Sequence, residues 1–501
     1  MSAHPLDVSS IETRLFIGGK FVESEKQFAT VNPATEEVIC QVHEATDEHV
    51  NQAVQAAKDA FHRSSPWRKM NASDRRDLLL KLADLIERDH KYLVELESLD
   101  NGKPTGLSSG GYGAAVDIAL AIKCFRYYAG WADKLMGKQV PIDGDGETPF
   151  LNFTYHEPVG VVGCIIPWNF ATLMATWKLG PALACGCTMV IKTSEKTPLT
   201  GLYLGKLIKE AGFPDGVVNF VSGFGPTAGK ALAEHPDVNK IAFTGSTATG
   251  KIIQRIAADH VKRVTLELGG KSPLIITKNA NLDQAVMAAH VGLFLNQGQC
   301  CIASSRIYVH EDVHDDFVKK AVEYAEKLKT GGQFDDGVTH GPQVDDIQFE
   351  RVMGYIKTGK DEGATVATGG ERHGDKGYFV KPTIFIDVED HHTIAQEEIF
   401  GPVMSVLKFK SLDEVIDRAN NSIYGLGAGI ISRDIGECMY MAKHLQAGTV
   451  YVNCYDKFDA ASAFGGFKQS GLGRELGEYA LHNFTEVKTV TMPIDLPPGS
   501  V

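Results

Sequence analysis

The chain reads as an α/β protein built on parallel sheets. Short β-prone apolar runs alternate with helical stretches from residue 159 to 268. A second alternating series opens at 273, and two further β-prone segments, 138–156 and 485–492, belong to neither. Strand–helix alternation generates crossover units whose helices cover both faces of a parallel sheet. The expected architecture is a Rossmann-like parallel-sheet unit, a second α/β unit and a small β arm.

Each element has its own signal. Residues 46–97 are mainly helical in pattern and should pack beside the first sheet. In that sheet the strand runs are 159–166, 188–192, 217–221, 240–243 and 264–268, separated by helices near 173–184, 199–211, 228–233 and 251–258. The second unit takes strands at 273–277, 307–310, 403–408, 427–431 and 449–453, with helices at 282–295, 315–328 and 412–420. Segment 138–156 holds Gly144 and Gly146 between β-prone flanks, and the tail ends in Pro497-Pro498-Gly499-Ser500-Val501. Both segments read as strand arms, and an exposed strand invites pairing with another copy of the chain.

Composition sets limits. At 501 residues and 43% hydrophobic content the chain exceeds one ordinary domain. A formal net charge of −13 argues against nucleic acid or an anionic membrane as the main partner. Nine cysteines, odd in number and unpatterned, read as reduced thiols of a cytosol-like compartment. No apolar run is long enough to span a bilayer. Residues 1–17 have neither a secretion-signal core nor an Arg-rich transit bias. The expected location is the cytoplasm, or the mitochondrial matrix if the chain is a mature form.

Chemistry concentrates in a few motifs. Phe243-Thr244-Gly245-Ser246 follows a predicted strand and opens a predicted helix. Gly245 would admit a phosphate to the backbone, and the helix N-terminus would stabilise its charge. The spacing is not the three-glycine fingerprint, and a plain strand-to-helix turn accounts for it equally well. Gly223, Gly225 and Gly229 form another such turn after the preceding strand. Lys192 and Glu195 lie just past a further strand. An acid there binds ribose hydroxyls and repels a 2′-phosphate, favouring NAD over NADP; the alternative is a solvated loop. Cys301 follows a predicted helix in a loop rich in Gly and Gln, where a nucleophile is accessible. A lone cysteine is more often a small apolar filler, which is the reading for Cys300, Cys185 and Cys187. Without companion ligands the Cys185/Cys187 pair is no zinc site, and no metal is expected. Glu267 ends an apolar strand before Gly269-Gly270. Apolar surroundings raise a carboxyl towards general-base range, though a strand-end salt bridge is as plausible. Asn169 ends the first strand and can donate its amide to an oxyanion or simply form a turn. A thiol, a carboxylate base and a hydride acceptor together would oxidise an aldehyde through a thioester.

Taken together, the motifs resemble the aldehyde dehydrogenase superfamily over nearly the whole chain. The resemblance is carried by Pro167-Trp168-Asn169-Phe170, Phe243-Thr244-Gly245-Ser246-Thr247 and Leu266-Glu267-Leu268-Gly269-Gly270-Lys271-Ser272-Pro273. Gly298-Gln299-Cys300-Cys301, Glu397-Glu398-Ile399-Phe400-Gly401-Pro402 and Phe464-Gly465-Gly466-Phe467-Lys468-Gln469-Ser470-Gly471 complete it. Asn453-Cys454-Tyr455-Asp456 and Tyr127-Tyr128-Ala129-Gly130-Trp131-Ala132 are similar to the tetrameric cytosolic and mitochondrial members, retinal-oxidising ones included. The resemblance implies a Rossmann-like NAD-binding domain of residues 1–137 and 157–269, a catalytic domain of 270–470, and an oligomerisation arm of 138–156 and 485–501. It implies NAD as cofactor, a small aldehyde as substrate and a homotetramer. By position Cys301 is the nucleophile, Glu267 the general base and Asn169 the oxyanion donor. Lys192 and Glu195 match adenosine-ribose contacts, Ser246 a phosphate contact, and Trp168 and Ile166 adenosine-side and backbone contacts. Gly225 and Gly245 stand in the two phosphate-side turns. Glu398, with Phe400 beside it, matches the ligand of the nicotinamide ribose. Lys178 and Glu475 match a charged pair given a proton-relay role. Phe170, Met174, Trp177, Leu295, Asp456, Lys457, Phe458 and Phe464 match the substrate channel, whose apolar, aromatic wall suits aliphatic or aromatic aldehydes.

Two positions depart from the family pattern. Ala171 replaces a usual proline, implying a freer oxyanion loop. Lys457 stands where relatives generally carry an uncharged residue, implying a narrowed entrance that disfavours bulky retinal, or attraction of acidic aldehydes, unless the lysine simply points to solvent. CoA-acylating semialdehyde dehydrogenases typically lack the base glutamate, so Glu267 argues for hydrolysis. A crystallin-like structural relative is disfavoured by Cys301, Glu267, Asn169, Lys192 and Glu398 occurring together. Attack of Cys301 on activated esters would be a side activity.

Overall fold

A computed structural model describes residues 5–107, 112–143 and 149–494. Gly144, Gly146 and the closing residues 495–501 lie outside the described residues. The first alternating series forms the middle of an eight-stranded sheet. Its five parallel strands lie in the spatial order Arg263–Glu267, Lys240–Thr244, Val161–Ile165, Thr188–Thr193, Val218–Ser222. Successive strands move outward from Val161–Ile165 in one direction, then return to its other side. The chain order therefore reverses between Val161–Ile165 and Lys240–Thr244, and an open parallel sheet binds ligands at the carboxyl ends of its strands at such a reversal. Four of these strands are buried along their whole length, as expected when helices cover both faces.

The sheet has edges that periodicity did not predict. Leu15–Ile17 and Lys20–Val22 extend it antiparallel beyond Val218–Ser222, and Gly471–Leu472 pairs antiparallel with Leu266 and Glu267 at the other side. Runs of two or three residues are too short to show a period. Gln27–Asn32 and Glu37–His43 form a separate antiparallel pair. The helix expected near 228–233 is a wide turn over Gly225–Gly229 followed by a short helix, Lys230–Glu234.

The second series forms a seven-stranded sheet. From Thr383–Ile386 through Val403–Phe409, Arg306–His310, Pro273–Ile276 and Gly427–Ile431 to Thr449–Val452 the strands are parallel. Thr365–Thr368 adds an antiparallel edge. It and Thr383–Ile386 were not predicted from sequence. The helix Ala171–Cys185 is buried along every residue and follows directly on the loop that holds Asn169. The two arms pair with each other: Phe150–Pro158 runs antiparallel to Thr485–Pro493 as a separate two-stranded ribbon.

Candidate active site

At the carboxyl ends of the first sheet, a cavity of about 480 Å³ is lined by residues of both sheets, including Asn169, Glu267 and Cys301. Local backbone geometry brings Cys301 there. After the helix Leu282–Phe294 the chain enters the left-handed region at Asn296 (φ 50°), Gln297 (φ 58°) and Gly298 (φ 74°). For a non-glycine residue that conformation costs about 1 kcal/mol or more, so neighbours must hold it. Asn296 Nδ2 donates to the carbonyls of Asn169 (2.9 Å) and Gln299 (3.3 Å), and Gln343 Nε2 donates to that of Gln297 (3.2 Å). A Cβ on Gly298 would lie 2.1 Å from the Gly401 carbonyl oxygen. The turn leaves Cys301 half-buried in the cavity wall and Cys300 buried. Its hydrogen bond to Cys301, together with burial, pushes the Cys300 thiol well above its ordinary value.

Asn169 Nδ2 donates to Gln299 O at 3.0 Å, which seats the amide against the cysteine loop. The Asn169 carbonyl is held as well. It accepts from Lys103 Nζ at 2.6 Å and from Asn296. Lys103 is fully buried and ion-paired with Asp117 (2.7 Å) and Glu97 (3.5 Å). Tyr112 OH donates to Asp117, and Thr172 Oγ1, in the first turn of the Ala171–Cys185 helix, donates to Glu97. A buried cation thus holds the loop that the sequence expected to be freer at Ala171. Sequence reading missed Lys103, Glu97, Asp117 and Tyr112. Their spacing matches no motif, because the group they hold is a backbone carbonyl far along the chain.

Glu267 ends its strand with both carboxyl oxygens buried and without a hydrogen-bond partner. Burial, then the charge of Glu475, push its pKa well above the ordinary carboxylate range, while Lys178 and Arg474 oppose the shift. Lys178 and Glu475 form the buried ion pair that the resemblance implied.

On the nucleotide side, Ser246 caps the helix Thr247–Ala258, its Oγ accepting from Thr249 N–H at 3.2 Å. A Cβ on Gly225 would meet no heavy atom within 4 Å, so that turn lies open. Lys192 Nζ donates to Glu195 at 3.0 Å, and Ile166 N–H donates to the Lys192 carbonyl. Trp168 stands edge-on to Phe400 at 5.2 Å. Glu398 accepts from Gly270 N–H at 3.1 Å, and burial pushes its carboxyl up to about 7. Trp168, Gly245, Ser246, Glu398 and Phe400 share the cavity wall with Cys301. Ile166, Lys192, Glu195 and Gly225 do not line that cavity and lie at or beyond the ends of neighbouring strands. The open turn at Gly225, a capped helix start and carboxylates at both ends offer donors and acceptors that fit an extended dinucleotide.

On the substrate side, Phe170, Met174, Trp177, Leu295, Asp456, Lys457, Phe458 and Phe464 all line the cavity. Trp177 packs on Phe464 at 5.2 Å, and Phe458 on Phe464 at 5.9 Å. Val116, Leu120 and Lys123, from the helix Ala114–Ala129, join this wall unpredicted.

The comparisons agree with this geometry. Residues 21–490 match the model of the aldehyde dehydrogenase family. The chain is 57% identical to the mitochondrial aldehyde dehydrogenase of Homo sapiens, over 96% of this chain and 92% of that one. It is 54% identical to human aldehyde dehydrogenase 1A1, over 96% of this chain and 95% of that one. The solved structure of an aldehyde dehydrogenase from Bacillus cereus in complex with NAD+ superposes with a TM-score of 0.93 at 52% identity, covering 97% of each chain. On motifs, sheets and cavity alike, the chain belongs to the aldehyde dehydrogenase family.

Proposed function

We propose that this protein oxidises aldehydes to carboxylic acids with NAD through a covalent intermediate on Cys301. One observation carries the reading: a half-buried thiol, a buried carboxyl without partners and a seated amide meet on one apolar, aromatic cavity. Lys192 and Glu195 would hold the adenosine ribose, with Ile166 and Trp168 beside it. Ser246, with the turns at Gly225 and Gly245, would hold the phosphates, and Glu398 and Phe400 the nicotinamide ribose. NAD, when bound, supplies the hydride acceptor. Cys301 attacks the aldehyde carbon, and the oxyanion is met by the Asn169 amide and the Cys301 N–H. The wall aligns thiol and carbonyl, which is the larger part of the rate gain. Once the bound carbon is oxidised, Cys301 holds an acyl thioester. Glu267 then takes a proton from water, and the hydroxide so formed releases the acid. Lys178 favours the ionised base and Glu475 opposes it.

The division into NAD-binding, catalytic and arm segments follows the two sheets and the ribbon. A homotetramer is supported by the exposed apolar side chains Phe150, Val487 and Met492 along the ribbon. No helix among the described residues is long and apolar enough to cross a membrane; relatives named mitochondrial support a matrix location as one alternative to the cytoplasm.

The test is NADH formation with short aldehydes. Cys301→Ser should reduce turnover by about a thousandfold or more, the scale of losing a nucleophile, while Cys300→Ala stays within a few-fold of wild type. Glu267→Gln should retain a single-turnover burst and lose steady-state rate. Since the Glu267 pKa is raised and only the ionised form is a base, deacylation should increase with pH until a point above the ordinary carboxylate range. Equal losses in the two cysteine variants would discard the scheme.

A further inference from the structure

We infer that the outer end of the substrate cavity is an anion subsite formed by Lys457 and Lys123, selecting aldehydes that carry a carboxylate remote from the reacting carbonyl. The inference rests on the aldehyde-oxidising reading above. Lys123 follows Val116 and Leu120 at helical spacing, so all three present one face, and that face lines the cavity. Lys457 reaches the same cavity from the loop after Thr449–Val452. Two exposed cations from distant segments thus line one cavity, which Lys196 and Arg351 also border. Neither Lys123 nor Lys457 makes an ion pair or hydrogen bond among the described residues.

Five carboxyls line the same cavity, Asp117, Glu267, Glu398, Asp456 and Glu475, and among the described residues none is ion-paired with either lysine. Asp117 is engaged by Lys103. Asp456, though adjacent to Lys457 in sequence, has both carboxyl oxygens buried without partners, and burial pushes its pKa well above the ordinary carboxylate range. The inner wall is apolar, with Trp177, Phe458 and Phe464 packed together. The cavity is therefore amphipathic along its length: apolar near the thiol, cationic at the entrance. A formal net charge of −13 repels anions at long range, so a local cationic pair is what would admit one.

The experiment compares 4-carboxybenzaldehyde with its methyl ester, which has the same reacting carbonyl and ring without the charge. In wild type the kcat/KM ratio of carboxylate to ester should exceed one and fall towards one with added salt. Lys457→Met and Lys123→Met should each lower the ratio by about fivefold, the factor for one exposed charge pair. A wild-type ratio at or below one, or one indifferent to salt, overturns the subsite without recourse to variants. So does an unchanged ratio in the double variant. Oxidation of neither aldehyde overturns instead the aldehyde reading itself.

Discussion

Lys103 illustrates how a residue outside every motif controls one inside. Its ammonium holds the Asn169 carbonyl while two carboxylates hold the ammonium. Lys103→Met should strand Asp117 and Glu97 without their cation, an effect of about 3–5 kcal/mol for a buried pair. We expect a lowered Tm and a kcat reduced by about tenfold or more, with aldehyde KM little changed. Lys103→Arg should recover part of the kcat. A fall in Tm with kcat intact would limit Lys103 to a structural role. At this scale the proposed catalytic residues were legible because Cys301, Glu267 and Asn169 each sit in a short glycine- or proline-marked motif at the end of an element. Lys103 was not, because a bond to a backbone carbonyl leaves no pattern in side-chain types. Lys123 was missed for a related reason: only the fold shows which face of its helix meets the cavity.

Among elements, the left-handed turn before Cys301 is tightly constrained. Gly298→Ala would place a methyl group 2.1 Å from the Gly401 carbonyl oxygen at a φ of 74°. Backbone must move, and a loss of about 2 kcal/mol or more is expected. Calorimetry should show the lower Tm, and alkylation of Cys301 by iodoacetamide should change rate because the turn aims the thiol. Wild-type values for both would show that the turn relaxes freely. The central strands of both sheets were readable as continuous apolar runs, since burial on both faces removes polar alternation. The short edges, Leu15–Ile17, Gly471–Leu472 and Thr365–Thr368, were not, because their pairing is set by neighbours already in place.

For the molecule as a whole, buried charge shapes stability. Lys271 is fully buried, its Nζ lacks a hydrogen-bond partner, and burial lowers its pKa to about 7. Between that value and its ordinary one near 10.5 the unfolded chain binds more protons than the folded chain. Stability therefore rises with pH across this window, and the penalty is fullest below it. Lys271→Met should stabilise by roughly 3 kcal/mol near neutrality and by little at high pH, read by denaturant unfolding at both. A gain independent of pH would show that shape, not charge, is responsible.

The strand that ends in Glu267 gains its outer partner from Gly471–Leu472, and Phe464 and Glu475 exchange backbone hydrogen bonds nearby. On the ribosome, the first sheet thus stays bare along that edge until the whole of the second sheet has been synthesised. A nascent chain spends that interval with unpaired backbone next to Glu267, the proposed water-activating group. That edge is where a chaperone would engage and where a stalled chain would begin to aggregate.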